Sequence, residues 1–233
     1  MDYSTWLYFI VFLCGTFLTW SYYYGIFNRM QIHTITLPQC ELMYFCVRGE
    51  YSQKLPDQFK KIHNLIQENK SAHKAFNRQG KLMFGMYYDN PEKVKDVNKM
   101  RAVVGFLFTP KDQTERDLII EHLGRLGMKY AKIAKTKALF TRFEVKVPAI
   151  VSYMVAPAQF YNQVEKYIRR RKPLREMVAK CETANQCGFE IYTDSYLYFH
   201  KPLENFDQFD LTEHGTPALK RVKGQKLSTY KNL

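Results

Sequence analysis

The chain has 233 residues, room for one domain of ordinary size plus an appendage but too few for two large domains. With 46% apolar and 24% charged residues it is not a disordered, collagen-like or disulfide-scaffold sequence. Lys and Arg number 35 against 22 Asp and Glu, a formal charge of +13, and a mean hydropathy of −0.39 excludes a polytopic membrane protein while leaving room for one span.

That span comes first. No charged side chain lies between Asp2 and Arg29, and residues 6–27 (WLYFIVFLCGTFLTWSYYYGIF) are long enough to cross about 30 Å of hydrocarbon as a helix rising ~1.5 Å per residue. Trp6 near one end, and Trp20 with Tyr22, Tyr23 and Tyr24 near the other, match interfacial aromatic belts. A cleavable signal peptide would begin with basic residues and end at a small-residue cleavage site, whereas here only Asp2 precedes the run and no such site follows. The expectation is a transmembrane anchor over residues 1–30. A buried core helix is the bland alternative. Arg29 and the basic body beyond it predict a cytosolic or, for an inner-membrane protein, matrix location for the bulk of the chain.

After the span the pattern alternates. Residues 32–37 and 42–47 read as strands, the first stopped by Pro38 and the second by Gly49. A helix follows, with Pro56 at its start and Phe59, Ile62, Leu65 and Ile66 on one face, then a linker ending at Gly80. Residues 81–91 form a strand closing in an Asp-Asn-Pro turn, and residues 100–109 another, broken by Pro110. The order then repeats. Leu118, Ile119, His122, Leu123 and Leu126 mark a helix ending at Gly127, and residues 138–147 a strand. Pro148 and Pro157 each suit the first turn of a helix, and residues 188–203 hold two strands about a Thr-Asp-Ser turn. FGMYYDN and FEIYTDS occupy matching places in the two halves. The reading is a duplicated α+β domain over 31–203, an antiparallel sheet covered by helices on one face, followed by a basic tail over 204–233.

Tyr87 to Pro91 (YYDNP), MRAVVG at 100–105 and EIYTDSYLYFHKPL at 190–203 carry a resemblance. Together they resemble the GyrI-like domain, a duplicated α+β module of gyrase-inhibitory proteins and of the effector-binding part of bacterial multidrug regulators. A span leading directly into such a module is similar to the testis-expressed reticulophagy receptor family. The resemblance implies a role in the endoplasmic reticulum membrane and an aromatic-x-x-aliphatic motif that pairs with an autophagy modifier. Here the match to that motif is Tyr230-Lys231-Asn232-Leu233, flanked by Lys226 rather than by acids. The GyrI-like resemblance also implies that Glu190 can sit in an aromatic pocket for cationic ligands, with Tyr44, Tyr87 and Tyr192 as partners. Strand alternation alone reads otherwise: it turns Glu190 outward while Phe189 and Ile191 point into the core.

Enzymatic signatures are missing: there is no G-x-S-x-G, H-E-x-x-H, phosphate loop or dinucleotide fingerprint. The six His are scattered, and the Cys40/Cys46 and Cys181/Cys187 spacings do not suit zinc, so no catalytic residue, metal or cofactor is expected. Charge is the stronger clue. Residues 128–180 hold thirteen Lys or Arg, Arg169, Arg170, Arg171, Lys172 and Arg175 among them, against three acids. Beside a bilayer such a face attracts anionic head groups at about 1 kcal/mol per residue, and it equally suits an acidic neighbour subunit. Nucleic acid ranks last, because no recognition module is present. The leading expectation is therefore a non-enzymatic accessory subunit of a membrane complex, with the mitochondrial inner membrane favoured. The alternatives are a reticulophagy receptor of the endoplasmic reticulum and a binder or hydrolase of small lipophilic molecules.

Overall fold

A computed structural model describes residues 3–27, 29–89, 94–179 and 187–211. Helix α1 (Tyr3–Tyr23) is the uncharged segment, and Ser21 is its one buried residue. The domain behind it is a single eight-stranded antiparallel sheet, ordered β1-β6-β8-β7-β3-β4-β2-β5.

Strands β1 (His33–Leu37) and β2 (Cys40–Arg48) lie where alternation puts them. The helix read from Pro56 begins five residues earlier: α2 (Tyr51–Glu68) carries Pro56 in its second turn, where the missing N–H gives up the bond to the Ser52 carbonyl and the packing of the helix against the sheet has to outweigh that loss. The expected linker before Gly80 is instead a helix, α3 (Lys70–Arg78). Asn69 starts it by accepting a hydrogen bond from the Ala72 amide, and Ala72, Ala75 and Phe76 are its buried face. Strands β3 (Met83–Tyr87) and β4 (Arg101–Phe108) follow, then α4 (Gln113–Arg125), whose exit is turned by Gly127 at φ +88°. Asn90 and Pro91 of the expected turn lie outside the described residues.

Strand β5 (Lys129–Ile133) pairs with β2 and escaped the sequence reading, its three buried or half-buried residues being flanked by lysines. After β6 (Thr136–Glu144), the two helices expected at Pro148 and Pro157 are one, α5 (Ala149–Arg169), with Pro157 inside it. A short α6 (Lys172–Ala179) precedes the hairpin of β7 (Gly188–Tyr192) and β8 (Tyr196–Pro202). The domain does not end at Leu203. Phe206 and Phe209, set in an otherwise polar stretch, are both buried, so residues 204–211 belong to the folded body. The rest of the tail, Tyr230 to Leu233 included, lies outside the described residues.

Helices pack on one face of the sheet only. Met43, Phe45, Val104 and Phe106 meet α2, α3 and α4 through Ile62, Phe76 and Leu123, while Leu139, Leu197 and Phe199 meet α5 through Ala156, Phe160 and Val164. Each of these large side chains contributes about 1.5–3 kcal/mol by leaving water. The other face is a separate apolar cluster of Leu42, Tyr44, Phe84, Phe189 and Phe209.

The duplication is visible in the strand order. In each half the first strand pairs with the last of three, β2 with β4 and β6 with β8, and the middle strands β3 and β7 meet at the centre. There Phe84 opposes Ile191, Gly85 opposes Glu190 and Met86 opposes Phe189. Superposing FGMY on FEIY sets Gly85 in the place of Glu190, so the axis relating the halves passes through that pair.

Candidate functional site

Alternation does turn Glu190 away from Phe189 and Ile191, yet it does not leave it in water. The face it points to is the one the helices cover, and Glu190 is 3% exposed. It sits in the seam between the helices of the two halves, opposite a glycine that supplies no side chain of its own. The expectation of a solvated Glu190 is thus overturned, because both faces of this sheet are buried.

Both carboxylate oxygens are occupied. The Tyr161 hydroxyl, on α5, donates to Oε1 at 2.7 Å, and the Tyr192 hydroxyl, on β7, donates to Oε2 at 2.9 Å. Since Tyr192 has spent its proton, the Tyr87 hydroxyl, on β3, must donate to the Tyr192 oxygen, 2.6 Å away. Rings close the arrangement. Phe59 and Tyr153 stand edge-on to Tyr192 with centroids 5.6 and 6.2 Å away, and Tyr51 stands edge-on to Tyr87 at 5.3 Å.

Burial pushes the Glu190 carboxyl up to about 7, and the two phenol donors restrain the rise. Burial, then the Glu190 charge, raises Tyr161 and Tyr192 well above the ordinary phenol value, so both remain donors at neutral pH. Among the described residues no Lys or Arg pairs with Glu190. The arrangement is a titratable carboxylate walled by neutral aromatic rings, chemistry suited to a cation that presents both charge and apolar surface.

Tyr161→Phe removes the donor to Oε1 and leaves that oxygen unsatisfied when ionised. The Glu190 titration, followed by its carboxyl infrared band, is expected to move up by about one pH unit. An unchanged midpoint would count against the hydrogen bond.

Of the residues singled out in the sequence, Glu190, Tyr87 and Tyr192 come together. Tyr44 does not: it lies in the apolar cluster on the opposite face of the sheet, with Phe84 and Phe189. Tyr51, Phe59, Tyr153 and Tyr161 went unnoticed. Tyr153 and Tyr161, eight residues apart, fall about two turns apart on one helix, a signal visible only once α5 is read as continuous through Pro157.

In α1, Trp6, Trp20, Tyr22 and Tyr23 are exposed, as an interfacial belt requires, and length and composition suit this helix to crossing a membrane. Tyr24 departs from the expected belt. It is buried and its hydroxyl donates to the Val147 carbonyl at 2.7 Å. Arg169, Arg170 and Arg171 are exposed where α5 ends, roughly 30 Å along that helix from Val147, and Lys172 and Arg175 are exposed on α6. Arg169 pairs with Glu165 at 2.6 Å, and Arg171 lies 3.7 Å over the Tyr167 ring. Among the described residues no group of His, Cys, Asp or Glu is placed to hold a metal.

The chain is thus a twofold-repeated α+β domain with a buried carboxylate at the meeting point of its halves. Residues 30–156 match the GyrI-like small molecule binding domain, and the chain belongs to that family. The match takes in β1 to β6 and the start of α5, while β7, with Glu190, lies beyond it. No curated protein sequence matches the chain. Among solved structures it is similar to the EcmrR C-terminal domain (9% identity, TM-score 0.44, 74% of this chain and 96% of that one). It is also similar to SAV2435 bound to tetraphenylphosphonium (11%, 0.44, 76% and 96%) and to a hydrolase from Listeria innocua (9%, 0.42, 78% and 97%).

Proposed function

We propose that this chain is a membrane-tethered small-molecule binder in which Glu190 receives a lipophilic cation. One observation carries the reading: a buried carboxylate whose only hydrogen-bond partners among the described residues are phenols. Structural buried acids are ordinarily paired with a cation, and among the described residues no Lys or Arg pairs with Glu190, which leaves its charge to be met by a bound cation. Binding is the better reading. The accessory-subunit alternative draws on the exposed arginines of α5 and α6, and the reticulophagy alternative on Tyr230 to Leu233. The former lacks a built set of contacts comparable to the Glu190 cage among the described residues, and Tyr230 to Leu233 lie outside them.

The test is calorimetric titration of the full chain in detergent with tetraphenylphosphonium, a delocalised cation with aryl faces. Saturable one-to-one binding is expected, with Kd on the order of 1–100 μM. Heats no different from those of empty micelles would overturn the proposal.

A further inference from the structure

We infer that Val147 and the first turns of α5 form a ledge that inserts into the lipid interface beside α1, so that the domain rests on the bilayer by this edge. Four exposed apolar side chains cluster here: Val147 is 81% exposed, Ile150 64%, Tyr153 41% and Met154 70%. Ile150 and Met154 are one turn apart, while the buried stripe of the same helix runs through Ser152, Ala156 and Phe160. This apolar face therefore points away from the core.

The occupant follows from what the ledge is bonded to. Lys146 donates to the Tyr23 carbonyl at 2.7 Å and places its ammonium 4.9 Å over the Tyr23 ring. The next residue, Val147, accepts from the Tyr24 hydroxyl, and Gln159 donates to the Gly25 carbonyl at 2.7 Å. Trp20, Tyr22 and Tyr23 mark the head-group level of the span. Residues hydrogen-bonded to that level share its depth, and a cation next in sequence to exposed aliphatic side chains suits an anionic head-group layer over acyl chains. The inference rests on the tether in the proposed function, and it is independent of whether Glu190 binds a ligand.

Tryptophan occurs only at positions 6 and 20, which permits a clean depth measurement. Full chains carrying Trp6→Phe and Trp20→Phe receive either Met154→Trp or, as control, Leu118→Trp on α4, and are reconstituted into phosphatidylcholine–phosphatidylserine vesicles containing lipids brominated near the head group. The Met154→Trp chain is expected to lose most of its emission, and the Leu118→Trp chain to keep it. Adding Ile150→Glu to the Met154→Trp chain is expected to restore the emission. Three results would overturn the ledge: an unquenched Met154→Trp chain in vesicles where the parent's Trp20 is quenched, quenching of both reporters alike, or quenching of none, Trp20 included. The last would remove the tether as well. A failed cation titration would leave these measurements untouched.

Discussion

Glu190→Gln is expected to weaken binding of tetraphenylphosphonium between about ten- and a hundredfold at pH 8, the loss of a desolvated charge–charge contact worth roughly 1.4–3 kcal/mol. The amide keeps the shape of the cage but not its charge. Titration calorimetry of both chains from pH 6 to 8 gives a second reading. Because the carboxyl ionises near 7, the natural chain should tighten its grip as pH rises through that value, while the Gln chain stays flat. Equal affinity in the two chains at pH 8 would remove Glu190 from the site.

Stability carries an opposite signature. Between the ordinary carboxyl value of 4.5 and about 7, the folded chain holds a proton on Glu190 that the unfolded chain has lost. The contribution of Glu190 is therefore full below 4.5 and declines as pH rises through 7. His200, buried against Phe189 and Phe140, is pushed down to about 4, so its contribution grows as pH rises from 4 to the ordinary value of 6.5. Each is worth roughly 3 kcal/mol at full extent, and over the shared range they offset one another. The natural chain should show a nearly level melting temperature between pH 4.5 and 6.5. In the Gln chain the His200 trend stands alone, and melting should rise with pH across the same range. A level profile in both chains would contradict this account of the two buried groups.

Gly105→Ala is expected to do the greatest harm to the fold. Gly105 lies in β4 between Tyr44 of β2 and Phe84 of β3, and a methyl group there would stand 2.0 Å from the Met43 carbonyl oxygen and 2.8 Å from the Tyr44 Cα. Both obstacles are backbone in the middle of the sheet, so neither can swing aside. The cost should reach about 3 kcal/mol or more, lowering the melting temperature by roughly 6–12 °C or preventing folding outright. Gly188→Ala is the informative contrast. Its methyl would meet the Tyr161 side chain at 2.0 Å, and that ring can rotate at the expense of its bond to Glu190. Melting of the two variants side by side should separate them clearly, and comparable losses would show that sheet spacing at Gly105 has more give than its neighbours suggest.

Much of this architecture was legible in the chain. The hydrophobic period marked seven of the eight strands, and the matching FGMYYDN and FEIYTDS segments disclosed the repeat. What escaped were elements whose signal is faint one residue at a time. The strand β5 is half lysine-flanked, α3 depends on an asparagine cap, and α5 runs through a proline that reads locally as a beginning. The site was half legible. Glu190, Tyr87 and Tyr192 share adjacent strands and could be named from them, whereas Tyr51, Phe59, Tyr153 and Tyr161 arrive from helices whose approach depends on tertiary packing. The exposure of Glu190 was misjudged for the same reason: alternation tells which face a side chain takes, not what lies above it.

The axis crossing the Gly85–Glu190 pair has a mechanical consequence. The two halves do not contribute alike at that axis: one supplies the carboxylate of Glu190, and the other a glycine over which the Tyr87 side chain lies, so the proposed site is single rather than doubled. A guest held there would brace both halves at once, so occupancy should be felt as tighter cohesion across the central β3–β7 seam, the line along which two such units would otherwise come apart.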